Sequence, residues 1–298
     1  MRHGTKVVVQ VVFSAVMKTL SFYKQNALTV LAPIYGPRES ANIVEYWLEQ
    51  QLGLTRVDQV LRAKEIFPFE GYDYELAELI ARKPVQYIVG HTFFYGLKIG
   101  LNSATLIPRP ETEELVREVI QLIDNSAATS IIDIGTGSGC IALAIKSKRP
   151  DINVTGIDIN PKAIAQAINN AKHLDLAVDF RVGDVFNYVM DSVDIIVSNP
   201  PYIPNNERYE METHVVEHEP EKALFVSDER PLLFYDALFA LSVKSFAFRG
   251  GWAAFEIHHL FGEEMKALSV KHNAKEVKLI QDLQGKDRML LAKYGRTD

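Results

Sequence analysis

The stretch Ile131-Ile132-Asp133-Ile134-Gly135-Thr136-Gly137-Ser138-Gly139-Cys140 sets the fold of everything around it. An apolar run enters three alternating glycines, and a helical pattern resumes directly after Gly139. Glycine allows a tight turn and lets a ligand approach backbone that a side chain would shield. Strand, glycine loop and helix in that order make a nucleotide-type site. The dinucleotide fingerprint would place its third glycine at position 140, which is Cys140, whereas the glycine present falls one residue early at Gly139. The loop therefore leans away from NAD.

On both sides of this loop, short apolar runs alternate with helical patterns. Expected strands are Ser130 to Ile134, Val154 to Ile157, Val178 to Val182, Val193 to Val197 and Trp252 to Ile257, with a closing pair near Val277 to Ile280 and Met289 to Lys293. Helices are expected from Gly139 and from Pro161. Such alternation predicts an α/β domain with a largely parallel sheet covered on both faces. Asp158 ends the second strand 19 residues past Gly139, where a carboxylate can accept both hydroxyls of a ribose. Asp184, after the next strand, is placed to accept from an adenine amino group. Each could instead cap a turn or helix. Together with the loop they describe an adenosine pocket with no phosphate requirement.

The strand ending at Ser198 runs into Asn199-Pro200-Pro201-Tyr202. Two prolines remove two backbone donors and keep the chain extended, so carbonyls stand free beside the Asn199 side chain. An Asn oxygen next to such carbonyls can take both protons of a planar NH2 group. That suits an amide or arylamine nitrogen, which is poorly nucleophilic and becomes positive as it attacks an electrophilic carbon. Tyr202 is expected to pack against the planar group. Alone, Asn-Pro-Pro is ordinary punctuation after a strand. After the fourth strand of an adenosine-binding sheet it is an acceptor site.

In this order the motifs resemble the class I S-adenosylmethionine-dependent methyltransferases. The resemblance implies a Rossmann-like seven-stranded sheet with an antiparallel final strand. It also implies S-adenosyl-L-methionine over Gly135, Thr136, Gly137, Ser138 and Gly139, Asp158 on the ribose, Asp184 with Val185 near the adenine, and Asn199 beside the cofactor. Asn-Pro-Pro-Tyr is shared by adenine, cytosine and guanine amino methyltransferases and by protein glutamine methyltransferases. From about Met17 onward the chain resembles the peptide-chain release factor glutamine N5-methyltransferases, the HemK/PrmC family. The matching segments are Arg82 to Gly90, Leu106-Ile107-Pro108-Arg109-Pro110-Glu111-Thr112-Glu113, the glycine loop, Asn199 to Tyr202, Glu219-Pro220 with Ala223-Leu224, and Gly285-Lys286-Asp287-Arg288. In that family the Asn and the following Pro carbonyl, here Asn199 and Pro200, hold the amide of the glutamine in the Gly-Gly-Gln motif of release factors. The implied role is protein methylation in translation termination. Amino methylation of DNA or RNA, or of a ribosomal-protein glutamine, is the alternative. The family often carries an aromatic residue where this chain has Val185, and residues 1 to 16 have no counterpart in it.

Residues 17–88 read as a small helical, substrate-recognition domain. Ser40 is expected to cap a helix bearing Ile43, Val44, Trp47, Leu48 and Leu52, and Asp73 to open another bearing Leu76, Leu79 and Ile80. Glycines and β-branched or aromatic residues from Tyr87 to Leu106 predict a β-hairpin, placed as a linker over 89–107. Pro108, Arg109 and Pro110 then lead into a helix with Leu115, Val116, Val119, Ile120 and Ile123 on one face, and 108–298 forms the methyltransferase domain.

The 298 residues carry 32 basic and 38 acidic side chains, a formal charge of −6, and no long basic block. That balance gives no cationic footprint for stable nucleic-acid binding. Between Ile203 and Pro231 eight acidic residues face only Arg208, Lys222 and Arg230, a balance of −5 next to the acceptor loop that favours a basic partner surface. A single cysteine, Cys140, excludes an intramolecular disulfide and fits a reducing cytoplasm. No apolar run is long enough for a membrane helix. Val7 to Met17 follows basic residues as a signal peptide would, but it is short and has no clear cleavage site, so it reads as an extension before Met17. His214-Val215-Val216-Glu217-His218 has the letters of a zinc motif. Pro220 keeps any helix there short, and no metal is expected. His258, His259 and Glu256 read as strand termination and structure.

Overall fold

The computed structural model describes residues 17–295 apart from 190, 191, 247, 248 and 283, so the expected extension over 1–16 lies outside the described residues. The chain divides into two compact units after Val89.

The first unit contains β1 (Met17–Thr19), α1 (Leu20–Tyr35), α2 (Pro37–Leu52), α3 (Arg56–Leu61), β2 (Ile66–Pro68), α4 (Tyr72–Ile80) and α5 (Val85–Val89). Leu20, Tyr23, Ala27 and Leu31 recur at helical spacing on α1 and are fully buried in one cluster with Ile43, Val44, Trp47 and Leu48 of α2. Trp47 stacks on Tyr72 at 5.3 Å, and Phe69 and Tyr23 close the aromatic cluster. Burial of each large side chain contributes about 1.5–3 kcal/mol, which a small unit of this size requires. Two helix starts differ from expectation. Ser40 lies inside α2, which begins at Pro37 because proline needs no donor and its fixed φ suits a first turn. The Ser40 hydroxyl instead donates back to the Gly36 carbonyl at 2.7 Å. Asp73 falls in the first turn of α4, which is capped by Gly71 at φ 84°.

The second unit opens with a hairpin, β3 (His91–Phe94) and β4 (Leu97–Gly100), whose two-residue turn has positive φ at both Tyr95 and Gly96. That is the twist a tight hairpin needs. Tyr87 to Val89, expected within the hairpin, are helical and belong to α5. The hairpin is also not a free-standing linker. The Tyr95 N–H donates to Glu113 at 2.7 Å, and Asn170 bonds both the N–H and the carbonyl of Gly100.

There follow α6 (Pro110–Asp124), β5 (Ser130–Ile134), α7 (Cys140–Lys148), β6 (Asn153–Asp158), α8 (Pro161–Leu174), β7 (Asp179–Val182) and β8 (Ile195–Ser198). The short elements β9 (Ile203–Pro204), α9 (Thr213–His218), α10 (Glu221–Leu224) and β10 (Phe225–Val226) come next. The chain closes with α11 (Leu233–Phe246), β11 (Gly251–Glu256), α12 (Gly262–Lys271), β12 (Glu276–Gln281) and β13 (Asp287–Tyr294). Seven strands form one sheet in the order β12-β13-β11-β8-β5-β6-β7, with β13 alone antiparallel to its neighbours. The central strands are apolar on both faces: Ile131, Ile132 and Ile134 of β5 and Ile195, Ile196 and Val197 of β8 are buried. β8 begins two residues later than expected. Asp194, just before it, turns its carboxylate onto the N–H groups of Thr129 and Ser130 at 2.8 and 3.0 Å.

Register positions the site. Ile134 pairs with Ile157 on one side and Ser198 on the other, Asp158 pairs with Val182, and Ser198 pairs with Phe255. Strand order reverses at β5, so the carboxyl ends of β5, β6 and β8 flank the crevice where α/β sheets bind ligands. Among the described residues no helix is long and apolar enough to cross a membrane.

Candidate active site

The glycine loop leaves β5 with both the Gly135 and Thr136 N–H groups on the Ile157 carbonyl, at 2.8 and 2.9 Å. Gly135, Gly137 and Gly139 all have positive φ, at 74, 56 and 82°, which explains glycine at each. Their surroundings differ. A Cβ on Gly139 would meet the Phe180 ring at 2.8 Å, so this glycine also serves close packing of α7 on the sheet. A Cβ on Gly135 or Gly137 would meet nothing within 4 Å, so the loop presents open backbone to the crevice. Thr136 turns inward and donates to Asp133 at 2.6 Å.

Asp133 carries no motif of its own, and an acid in an otherwise apolar strand is the one sequence signal for it. It is fully buried, and among the described residues its Oδ1 makes no hydrogen bond of ordinary geometry, although the Ala142 N–H at the start of α7 favours the charged form. Burial pushes its carboxyl up to about 7, against the pull of the Thr136 hydroxyl.

Asp158 accepts the Gly137 N–H on Oδ2 at 3.0 Å and the Asn160 N–H on Oδ1 at 2.8 Å. A carboxylate offers about four acceptor sites, so about half remain for a ligand. Burial raises its pKa, and the two N–H groups oppose the rise. Asp184 makes the turn that was the competing reading: its Oδ1 accepts from the Phe186 N–H at 3.0 Å. Val185 is half-buried and packs against the core. The exposed ring at this edge belongs to Phe186, tilted against Phe234 at 5.4 Å. Phe186 thus places an aromatic ring one residue beyond Val185, the position at which the family often carries one. Open backbone, a carboxylate with spare lone pairs and a loop with no Lys or Arg fit an adenosine-type ligand without phosphates.

The acceptor corner follows β8. Asn199 donates through Nδ2 to Thr112 Oγ1 at 3.2 Å, and Thr112 donates to Glu256 Oε2 at 2.7 Å. Tyr202 is half-buried. Its hydroxyl donates to Glu256 Oε1 at 3.0 Å and its ring meets His258 edge-on, so its hydroxyl end is anchored in the protein. Burial raises the Glu256 pKa, while the Thr112 and Tyr202 hydroxyls and the Arg288 charge lower it. His258 Nδ1 accepts the Leu260 N–H, which leaves Nε2 to donate to Glu207 at 3.0 Å.

The segment Pro108 to Glu113 ties these parts together. Arg109 pairs with the buried Glu219 at 2.6 Å, whose other oxygen accepts the Ile107 N–H at 3.2 Å. Thr112 reaches Glu256 and Glu113 holds the hairpin turn. Arg288, from the Gly285 to Arg288 segment, carries its charge close to Tyr202 and Glu256. Beside α6 a cavity of about 370 Å³ is lined by Glu111, Glu113, Glu114 and Asp282, with Arg117. The His214 to His218 motif lies on the six-residue α9, and among the described residues no three His, Cys, Asp or Glu side chains are grouped so as to hold a metal ion.

The family model described as "Methyltransferase small domain" matches residues 115–224. A methyltransferase structure from Pyrococcus furiosus aligns at a TM-score of 0.50 with 16% identity, covering 76% of this chain and 100% of that one, a likeness of fold. The release factor glutamine methyltransferase of Bacteroides thetaiotaomicron is 39% identical over 269 residues, covering 88% of this chain and 95% of the relative. That of Flavobacterium psychrophilum is 37% identical over 280 residues, covering 91% of this chain and 98% of the relative. With 37–39% identity over 88–91% of its length, the chain belongs to the release factor glutamine methyltransferase family.

Proposed function

We propose that this protein transfers a methyl group from S-adenosylmethionine to the side-chain amide nitrogen of the Gly-Gly-Gln glutamine in peptide-chain release factors, in the cytoplasm. S-adenosylmethionine supplies an electrophilic methyl carbon on a sulfonium. Gly135 to Gly139 offer it open backbone, Asp158 takes the ribose hydroxyls, and the Asp184-Val185-Phe186 turn flanks the adenine. Asn199 Oδ1 and the Pro200 carbonyl accept the two protons of the glutamine NH2, with Pro201 keeping the corner extended and the Tyr202 ring packing against the planar amide. Held this way, the amide nitrogen is aimed at the methyl carbon, and its growing positive charge falls between fixed acceptors. No strong base is required, since the proton released from the methylated nitrogen can pass to solvent.

The observation that carries this reading is the held Asn199 side chain, one residue beyond the strand paired with β5 and so beside the glycine loop. The acidic balance between Ile203 and Pro231 and the acidic cavity beside α6 suit a basic protein partner and oppose nucleic-acid phosphate. The helical unit is proposed to contribute to substrate recognition. The test is transfer of labelled methyl to purified release factors, with and without Gln-to-Asn replacement in the Gly-Gly-Gln motif. Asn199→Ala should lower turnover by at least about 100-fold, as loss of an oriented transition-state partner does, while cofactor affinity changes less than about threefold. Label entering nucleic acid instead of the glutamine would sink the proposal.

A further inference from the structure

The buried carboxylate of Glu256 has no part in the chemistry above, yet it sits at the corner where the acceptor amide is held. Glu256 and Thr112 are 1% and 2% exposed. A carboxylate costs several kcal/mol to bury unless hydrogen-bonded. Here two hydroxyls donate to it, Thr112 on Oε2 and Tyr202 on Oε1, and its main-chain carbonyl accepts the Tyr235 hydroxyl at 2.9 Å. Arg288 adds a nearby positive charge, and Glu111 a negative one.

Proton counting then fixes direction. A threonine hydroxyl has one proton and two lone pairs. An ionised carboxylate only accepts, and a charged acceptor outcompetes a neutral one, so Thr112 donates to Glu256. Toward Asn199 it has only lone pairs left. Asn199 must therefore present Nδ2–H to Thr112, and its Oδ1 points away from α6. The opposite flip would set lone pairs against lone pairs across 3.2 Å.

We propose that Thr112 and Glu256 are positioning residues that lock the side-chain amide of Asn199 so that its oxygen, never its nitrogen, faces the substrate. A free Asn side chain could present either end, and only the oxygen can accept from a glutamine NH2. The inference rests on the acceptor role of Asn199 proposed above. Glu256 touches neither Asn199 nor the substrate in this scheme and acts through the Thr112 hydroxyl.

Four variants, assayed with S-adenosylmethionine and purified release factor, test this alongside cofactor affinity and thermal unfolding. Thr112→Val keeps shape and removes the hydroxyl, and kcat should fall about 10- to 100-fold with cofactor affinity unchanged. Thr112→Ser keeps the hydroxyl and should stay within about threefold of the parent. Glu256→Gln can still accept from Thr112 through its oxygen while its NH2 meets the Tyr202 oxygen, so it should outperform Glu256→Ala clearly. Full kcat in Thr112→Val would overturn the lock, as would equal losses in the valine and serine variants, which would mark a steric role. Glu256→Gln falling as far as Glu256→Ala would also overturn it and assign the carboxylate to proton transfer. If Asn199→Ala itself retains activity, the acceptor reading fails rather than the lock alone.

Discussion

The glycine loop and the acceptor corner stand at neighbouring strand ends and are built by different means. The loop is made mostly of backbone: three positive-φ glycines, and a Thr136 to Asp133 bond spanning three residues. The corner is made of side chains brought from afar. Asn199 and Thr112 are 87 positions apart, Thr112 and Glu256 are 144 apart, and Tyr202 and Glu256 are 54 apart. A backbone-built site declares itself in a short motif, because the conformation demands particular residues in a row. A site built from distant side chains declares only its exposed member.

The largest expected effect probes the floor of the local site, Asp133. Its carboxyl titrates near 7 in the folded chain against 3.8 for the ordinary group. Below about pH 4 it is neutral folded or unfolded and has no effect on stability. As pH rises from about 4 to 7 the unfolded chain loses the proton first, so stability falls through that window, by on the order of 3–5 kcal/mol in total. Asp133→Asn should flatten this part of the profile, read as urea midpoints between pH 4.5 and 8. An unchanged slope would mean that the buried acid is solvated and that the loop floor is less enclosed than its burial states.

That contrast explains what the sequence made legible. β5, the glycine loop, Asp158 at a strand tip and Asn199 after β8 could be placed because alternation fixes strand ends and strand ends gather at one edge. Ser40 does not cap α2 because Gly36 and Pro37 start the helix earlier, a local signal that outranks a capping preference. Glu256 read as structural because a lone acid ending an apolar strand does not show what it faces. Thr112 was visible only as one letter of Pro108 to Glu113. Its hydroxyl matters through a partner on β11 that no spacing rule reaches.

Next in size, a pair of substitutions separates two uses of glycine within the loop. Gly139→Ala forces a methyl into Phe180, Ala167 and Leu143 at a φ of 82°, and should cost about 2–4 kcal/mol in thermal or urea unfolding. Gly137→Ala meets open space at φ 56°, so only about 1 kcal/mol of backbone strain is expected. Its loss should appear instead in S-adenosylmethionine affinity, because the methyl projects where the cofactor approaches. Equal effects of both on stability would show that the open face over Gly137 is closed by packing.

The smallest effect challenges the contrast itself, since a side chain from α8 also reaches the loop. Asn170 on α8 accepts the Gly100 N–H at 2.9 Å and donates to the carbonyls of Gly100 and Ser138 at 3.0 and 2.9 Å. One buried side chain thus joins β4 to the glycine loop across 70 and 32 positions. Asn170→Ala should lower stability by about 1–3 kcal/mol, the usual range for buried polar groups left unpaired. Hydrogen exchange at the Gly100 amide should accelerate while the β5 amides keep their protection. Asn170→Asp should be worse than alanine, because it turns a negative charge toward two carbonyl oxygens. If exchange at Ser138 and Gly139 accelerates together with Gly100, the loop depends on distant side chains much as the acceptor corner does. If only Gly100 responds, the backbone of the loop holds its shape alone and the tie serves the hairpin.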